Sequence, residues 1–175
     1  MAVLAMPEDT EIAVLELGMN HFREIAYLSD IAKPDVAVII NIGRMHIEHL
    51  GSMEGILQAK LEILEGMREG GRIILNGDDP LLWNLHKSIE NILYFGVNNT
   101  QCGVLGKNVE ENSGTISMDI NCQKGSFPVE LALEGGHYVP DALAAVAVGL
   151  ELGVTPEKIH ESLSRFQNMA GRQEI

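Results

Sequence analysis

The sequence predicts an α/β domain built on a mostly parallel sheet flanked by helices, with a small antiparallel section toward its end. Three observations carry that prediction. Between residues 12 and 97, short apolar runs of strand length alternate with stretches of helical periodicity, the pattern of crossovers between parallel strands. Beyond residue 100, alternating segments are separated by the turn signals "ENSG" and "QKGS", the signature of antiparallel hairpins. The chain has 175 residues, 46% hydrophobic and 21% charged, which suits one globular domain with a real core.

Taken in order, "IAVLELG" (12–18) is a largely apolar run fit for a strand buried on both faces. "HFREIAYLSDIA" (21–32) puts Phe22, Ile25, Ala26, Leu28 and Ile31 mostly on one helical face. Pro34 ends that helix and "DVAVIIN" (35–41) supplies the next strand. Ser52 is placed as an N-cap before "MEGILQAKLEILEGM", with Glu54 in the first turn, and Gly70-Gly71 stops the segment. "RIILN" (72–76) reads as a strand, "GDDP" as a turn, "LLWNLHKSI" as a helix and "NILYFGV" as a further strand. After the hairpins, "DALAAVAVGLELG" (141–153) returns to helix. In "TPEKIHESLSRF" (155–166), Thr155 is the N-cap and Pro156 the first helical residue. No repeat, linker or low-complexity tract divides the chain, so residues 1–175 are expected to form a single domain.

The charge balance excludes some partners. A net charge of −13 argues against a nucleic-acid surface and against docking on anionic membranes, both of which call for a basic face. No apolar run approaches the length of a membrane span, and the N-terminus lacks the basic start and apolar centre of a signal peptide. Cys102 and Cys122 have no metal-type spacing, which suits free thiols in a reducing compartment. The expectation is a cytoplasmic protein.

Ligands of open parallel sheets collect beyond the carboxyl ends of the strands. Glu16 lies near one such end, and "NIGRMHIEHLGS" directly follows the next strand. Glu16 and His46 are therefore candidate ligands of one ion, the carboxylate favouring Mg²⁺ or Mn²⁺. The alternative is a strand-end Glu capping a helix and a loop His in solvent. His46 and His49 have i, i+3 spacing without the HExxH arrangement, which speaks against zinc at that pair. Lys60, in "LQAKLEIL", has the ordinary reading of a snorkelling helix residue. Partly buried, its amine loses the proton more easily, and a neutral amine reacts with carbon dioxide to give a carbamate, an additional oxygen ligand.

The stretch "ELGMNHFREIAYLSDIAKPDVAVIINIGRMHIEHLGSMEGILQAKLEI", followed by "ILNGDDP" and "ALAAVAVGLELG", resembles the central domain of the Mur ligases over nearly the whole chain. Within that family it is most similar to the members that add D-alanyl-D-alanine to UDP-N-acetylmuramoyl-tripeptide. The resemblance implies an ATP-dependent amide-bond ligase of peptidoglycan precursor synthesis, with ATP and Mg²⁺ as cofactors. Glu16 matches the family's magnesium-binding glutamate, His46 its magnesium-binding histidine and Lys60 its carbamylated, metal-bridging lysine. His137, Asp141 and Arg172 match positions that contact the nucleotide.

Two departures accompany the resemblance. No G-x-x-G-K-[ST] phosphate loop occurs in these residues, "GVLGKN" lacking both the spacing and the hydroxyl. The sequence also matches neither the UDP-sugar-binding domain nor the C-terminal domain of the family. It reads as a truncated central domain, inactive on its own. In "GGHYVPDALAA" the family's two asparagines are replaced by Tyr138 and Asp141; Asp141 keeps an acceptor and loses the amide donor, or serves as an N-cap starting a buried helix. The alternatives are another Mur-superfamily ligase with a different acceptor, or a non-catalytic module that retains the fold.

Overall fold

The computed structural model describes residues 5–166, which divide into two compact units: one takes in residues up to Ala37 together with Ile42–Gly71, the other Val38–Asn41 and the residues from Arg72 on.

The first unit is helical. It contains α1 (Glu24–Ala32), the short α2 (Ile47–Leu50) and α3 (Met53–Leu61), which tightens into a 3₁₀ turn at Glu62–Gly66. Ser52 caps α3 as expected, its hydroxyl accepting the Gly55 N–H at 3.1 Å. α1 packs on the 3₁₀ turn, and the approach is nearly backbone to backbone. A Cβ built on Gly66 would lie 2.2 Å from the carbonyl carbon of Ser29. Ser29 is fully buried there, its hydroxyl donating to the carbonyls of Ala26 and Glu62.

α1 differs from its expected form at both ends. It starts at Glu24, because Arg23 adopts a left-handed conformation with φ 73°. Phe22 is thereby left outside the helix and exposed, Ile31 is exposed too, and the buried face consists of Ile25, Ala26 and Ser29.

The expected strand over residues 12–18 is not present. The segment has no regular secondary structure and no strand partner among the described residues, with Ile12 63% and Val14 90% exposed. A strand is defined by its ladder, and no neighbouring described strand supplies one.

The sheet has six strands in the order β1 (Val36–Ile39), β2 (Arg72–Asn76), β3 (Ile92–Gly96), β4 (Val104–Asn112), β5 (Thr115–Cys122), β6 (Gly125–Leu131), and all of it from Val38 on falls in the second unit. β2, β3 and β4 run parallel, and β4, β5 and β6 form an antiparallel meander. The two predicted turn signals join those hairpins. A short helix α4 (Pro80–Trp83), ending in a 3₁₀ turn, connects β2 to β3. Asp79 caps it, accepting the N–H groups of Leu81 and Leu82.

α5 (Tyr138–Glu151) lies against β2, β3 and β4, burying Val139, Ala142, Leu143, Ala144, Val146 and Ala147. Gly106 of β4 makes room for Leu143, whose methyls sit 3.3 Å from where a Cβ would stand. α6 (Pro156–Ser164) packs on β6, capped by Thr155 as expected. Phe95, Ile74, Leu75, Leu82, Ile116 and Ile120 are wholly buried, each contributing roughly 1.5–3 kcal/mol of transfer free energy.

Candidate metal and nucleotide site

The residues singled out in the sequence fall into two groups. Glu16, His46 and Lys60 all belong to the first unit. Glu16 is exposed in that irregular segment, and its carboxylate makes no hydrogen bond or ion pair among the described residues. The alternative role of helix-capping acid is thereby left without a partner. Glu62 and Asp79 perform that task instead, each accepting backbone N–H groups at a helix start. His46 is half-buried and sits in a left-handed conformation with φ 63° immediately before α2, where its carbonyl accepts the N–H groups of His49 and Leu50. Its ring nitrogens make no hydrogen bond among the described residues. Holding a non-glycine residue at positive φ costs on the order of 1 kcal/mol, and such strain concentrates at working sites. Lys60 is half-buried in the last turn of α3.

This donor set suits a hard divalent ion. It offers one anionic carboxylate and one imidazole, neither engaged elsewhere, and a lysine able to add oxygens if carbamylated. Among the described residues no group of three or more His, Cys, Asp and Glu forms a ready-made metal cluster. A site here would thus need a further ligand of another kind, such as the lysine, phosphate or water.

The second group sits around the start of α5. The N-cap of that helix is His137, so Asp141 lies inside its first turn and is not the cap. The helix begins ahead of Pro140 because a proline in the first turn loses only an N–H that has no helical partner there. Tyr138 stacks on His137, ring centroids 4.1 Å apart. Gly135 has φ 109°, and a Cβ on it would meet the His137 ring at 2.7 Å. A larger residue would displace the imidazole. Partial desolvation raises the Asp141 carboxyl above its ordinary range, against an opposing pull from His137. Arg172, the third nucleotide candidate, lies outside the described residues.

Two residues that carry structural roles, one in each unit, had no reading in the sequence. In the second, the Asp78 carboxylate accepts the N–H groups of Val97, Asn98 and Asn99 (2.7–3.2 Å), tying down the loop after β3. Its signal was the "GDDP" turn at the carboxyl end of β2. In the first, Glu62 had no local signal at all.

A model of the Mur ligase middle domain matches residues 1–149. The chain belongs to the Mur ligase family. The UDP-N-acetylmuramoyl-tripeptide–D-alanyl-D-alanine ligase of Bacillus subtilis is 40% identical over 175 residues, all of this chain and 37% of that protein. The Escherichia coli protein of the same name is 32% identical over 98% of this chain and 38% of its own length. A crystal structure of MurF from Acinetobacter baumannii superimposes with a TM-score of 0.90 at 33% identity, covering 98% of this chain and 38% of that one. MurF from Thermotoga maritima, solved in complex with ADP, aligns with a TM-score of 0.77 at 29% identity, over 91% of this chain and 36% of that one. This Mur ligase chain therefore spans somewhat over a third of the length of the relatives it matches.

Proposed function

We propose that this chain is the nucleotide-binding central portion of an ATP-dependent ligase that joins D-alanyl-D-alanine to UDP-N-acetylmuramoyl-tripeptide in peptidoglycan precursor synthesis, in the cytoplasm. The observation that carries the reading is 40% identity across every residue of the chain to a ligase of that name. In the reaction, the tripeptide's terminal carboxylate attacks the γ-phosphorus of ATP, releasing ADP and forming an acyl phosphate. The amine of the dipeptide then attacks the acyl carbon, and phosphate leaves as the amide forms.

Glu16 and His46 would hold Mg²⁺, with Lys60 as its carbamate extending the ligand set. The ion, when bound, neutralises and aligns phosphoryl oxygens, where most of the catalysis of such transfers lies. Glu16 is suited to that role because its carboxylate is otherwise unengaged, and His46 because its backbone is fixed at the head of α2. His137 and Asp141, at the start of α5, would contact the nucleotide, together with Arg172. The UDP-sugar and dipeptide would be bound largely by parts of the protein that these residues do not match. With no phosphate loop of their own, the 175 residues are expected to turn over no ATP alone.

The test uses the ligase that contains this chain. Lys60→Ala should lose most activity and regain part of it with added short-chain carboxylic acids, whose two oxygens fit where the carbamate stood. Lys60→Arg should remain inactive, since its guanidinium stays cationic and repels the ion. Near-normal turnover by Lys60→Arg would remove the carbamate from the mechanism.

A further inference from the structure

His21 and His49 are far apart in sequence, yet their rings meet: the centroids are 4.8 Å apart and the planes 40° from parallel. His21 stands just ahead of α1, and His49 is in the last turn of α2. Both belong to the first unit. Their side chains are 63% and 46% exposed, so solvent ions have access.

Each ring also has a carboxylate beside it. Glu24 Oε1 lies 3.3 Å from His21 Nδ1, and Glu48 Oε1 lies 3.9 Å from His49 Nε2. Glu24 is a fixed anion. It accepts the N–H groups of Asn20 (2.6 Å) and His21 (3.2 Å), and these hold its carboxyl below the ordinary range. In His21 the carboxylate on Nδ1 selects the tautomer with the proton there and leaves the Nε2 lone pair free, the arrangement that orients an imidazole as a metal ligand. In His49 the carboxylate lies on the Nε2 side, beyond hydrogen-bond distance, and Nδ1 has no carboxylate beside it among the described residues.

The spacing fits the same chemistry. With an N–metal bond of about 2.0–2.1 Å and a ring radius of about 1.1 Å, an ion lies about 3.2 Å from each ring centre. An ion bound by one nitrogen of each ring would see ring centres 4.8 Å apart at roughly 95–100°, between the cis-octahedral and tetrahedral angles.

We propose that His21 and His49 form a two-imidazole site for a borderline divalent transition ion such as Zn²⁺, Ni²⁺ or Cu²⁺, with water completing the coordination. The site is separate in chemistry from the magnesium reading. Paired imidazoles favour these ions, whereas Mg²⁺ takes oxygen ligands. It also stands whether or not the ligase assignment holds.

The test is calorimetric titration of the 175-residue chain with ZnCl₂ and NiCl₂ near neutral pH, with millimolar Mg²⁺ present throughout. His21→Ala and His49→Ala should each weaken binding at least about tenfold, and the double variant should be little worse than either single one, because one loss already breaks the chelate. His86→Ala and His160→Ala should bind as the unaltered chain does. In the unaltered chain, substoichiometric Ni²⁺ should broaden the ring signals of His21 and His49 together and ahead of those of His86 and His160, a readout that needs no variant to fold. Unchanged affinity in either single variant, or first broadening at His86 or His160, would overturn the proposal.

Discussion

Glu62 caps a helix from 39 residues away, and its removal should be among the costliest single changes in the first unit. α1 has no side-chain cap of its own: Arg23 occupies the N-cap position and contributes no side-chain bond. Glu62, only 7% exposed, fills that role from the 3₁₀ turn. Its two oxygens each accept the Arg23 N–H at 2.8 Å, and Oε2 also accepts the Ala26 N–H at 3.3 Å. In Glu62→Ala, two inward-facing N–H groups lose their acceptor, at about 1–3 kcal/mol each. The positive end of α1 also loses an anion worth about 0.3–2 kcal/mol. The contributions overlap, so the expected loss is about 3–4 kcal/mol. Glu62→Gln keeps one carbonyl acceptor without the charge and should lose about half as much. Glu65 is the internal control. It pairs with the Arg23 guanidinium at 2.8 Å in solvent, and such pairs are worth about 0–1 kcal/mol. Urea unfolding followed by circular dichroism gives the answer. At a slope of about 2 kcal/mol per molar, Glu62→Ala should lower the midpoint by about 1.5–2 M. A midpoint within about 0.3 M of that of Glu65→Ala would show that the remote cap contributes nothing special.

Two further outcomes follow from ionisation. Burial, reinforced by the nearby Asp78 carboxylate, pushes the Cys102 thiol up to about 11, so at pH 8 iodoacetamide should modify Cys122 well before Cys102 in the folded chain, as read by peptide mass spectrometry; equal rates would contradict this. Desolvation raises the Asp141 carboxyl, so its stabilising contribution is present below the unfolded value and lost as pH rises through the folded one. Asp141→Asn should accordingly be slightly more stable than the parent at pH 7 and not at pH 3, the gain being small because the side chain is substantially exposed. A gain at pH 3 with none at pH 7 would reverse the sign.

Local chemistry was legible in the sequence, and partnership over distance was not. The Ser52 and Thr155 caps, the β2 strand and both hairpin turns follow from residues a few positions apart, and the structure places each where its pattern puts it. The run at residues 12–18 shows the limit. Its composition is that of a buried strand, but pairing depends on a neighbour that composition does not specify. Phe22 matched the apolar period of α1, and a left-handed Arg23 removed it from the helix. Asp141 suggested a cap through the familiar preference of its residue type, whereas Pro140 was compatible with an earlier start. Glu62 looked like any acid on a helix, because the N–H groups it serves lie 39 and 36 positions upstream. Of the candidate site, the donor chemistry of Glu16, His46 and Lys60 was readable from residue type. Their common membership of one unit needed the fold.

The central claim is that Glu16, His46 and Lys60 serve one metal ion in a ligase. The most direct measurement is anomalous diffraction from crystals of the enzyme containing this chain, grown with ADP and with Mn²⁺ in place of Mg²⁺. The expected result is a manganese peak bound by Glu16 and His46, directly or through one water, with carbamate density extending from the Lys60 amine toward it. A manganese peak on other residues, with Glu16 and His46 both remote from it, would show that these residues hold no common ion.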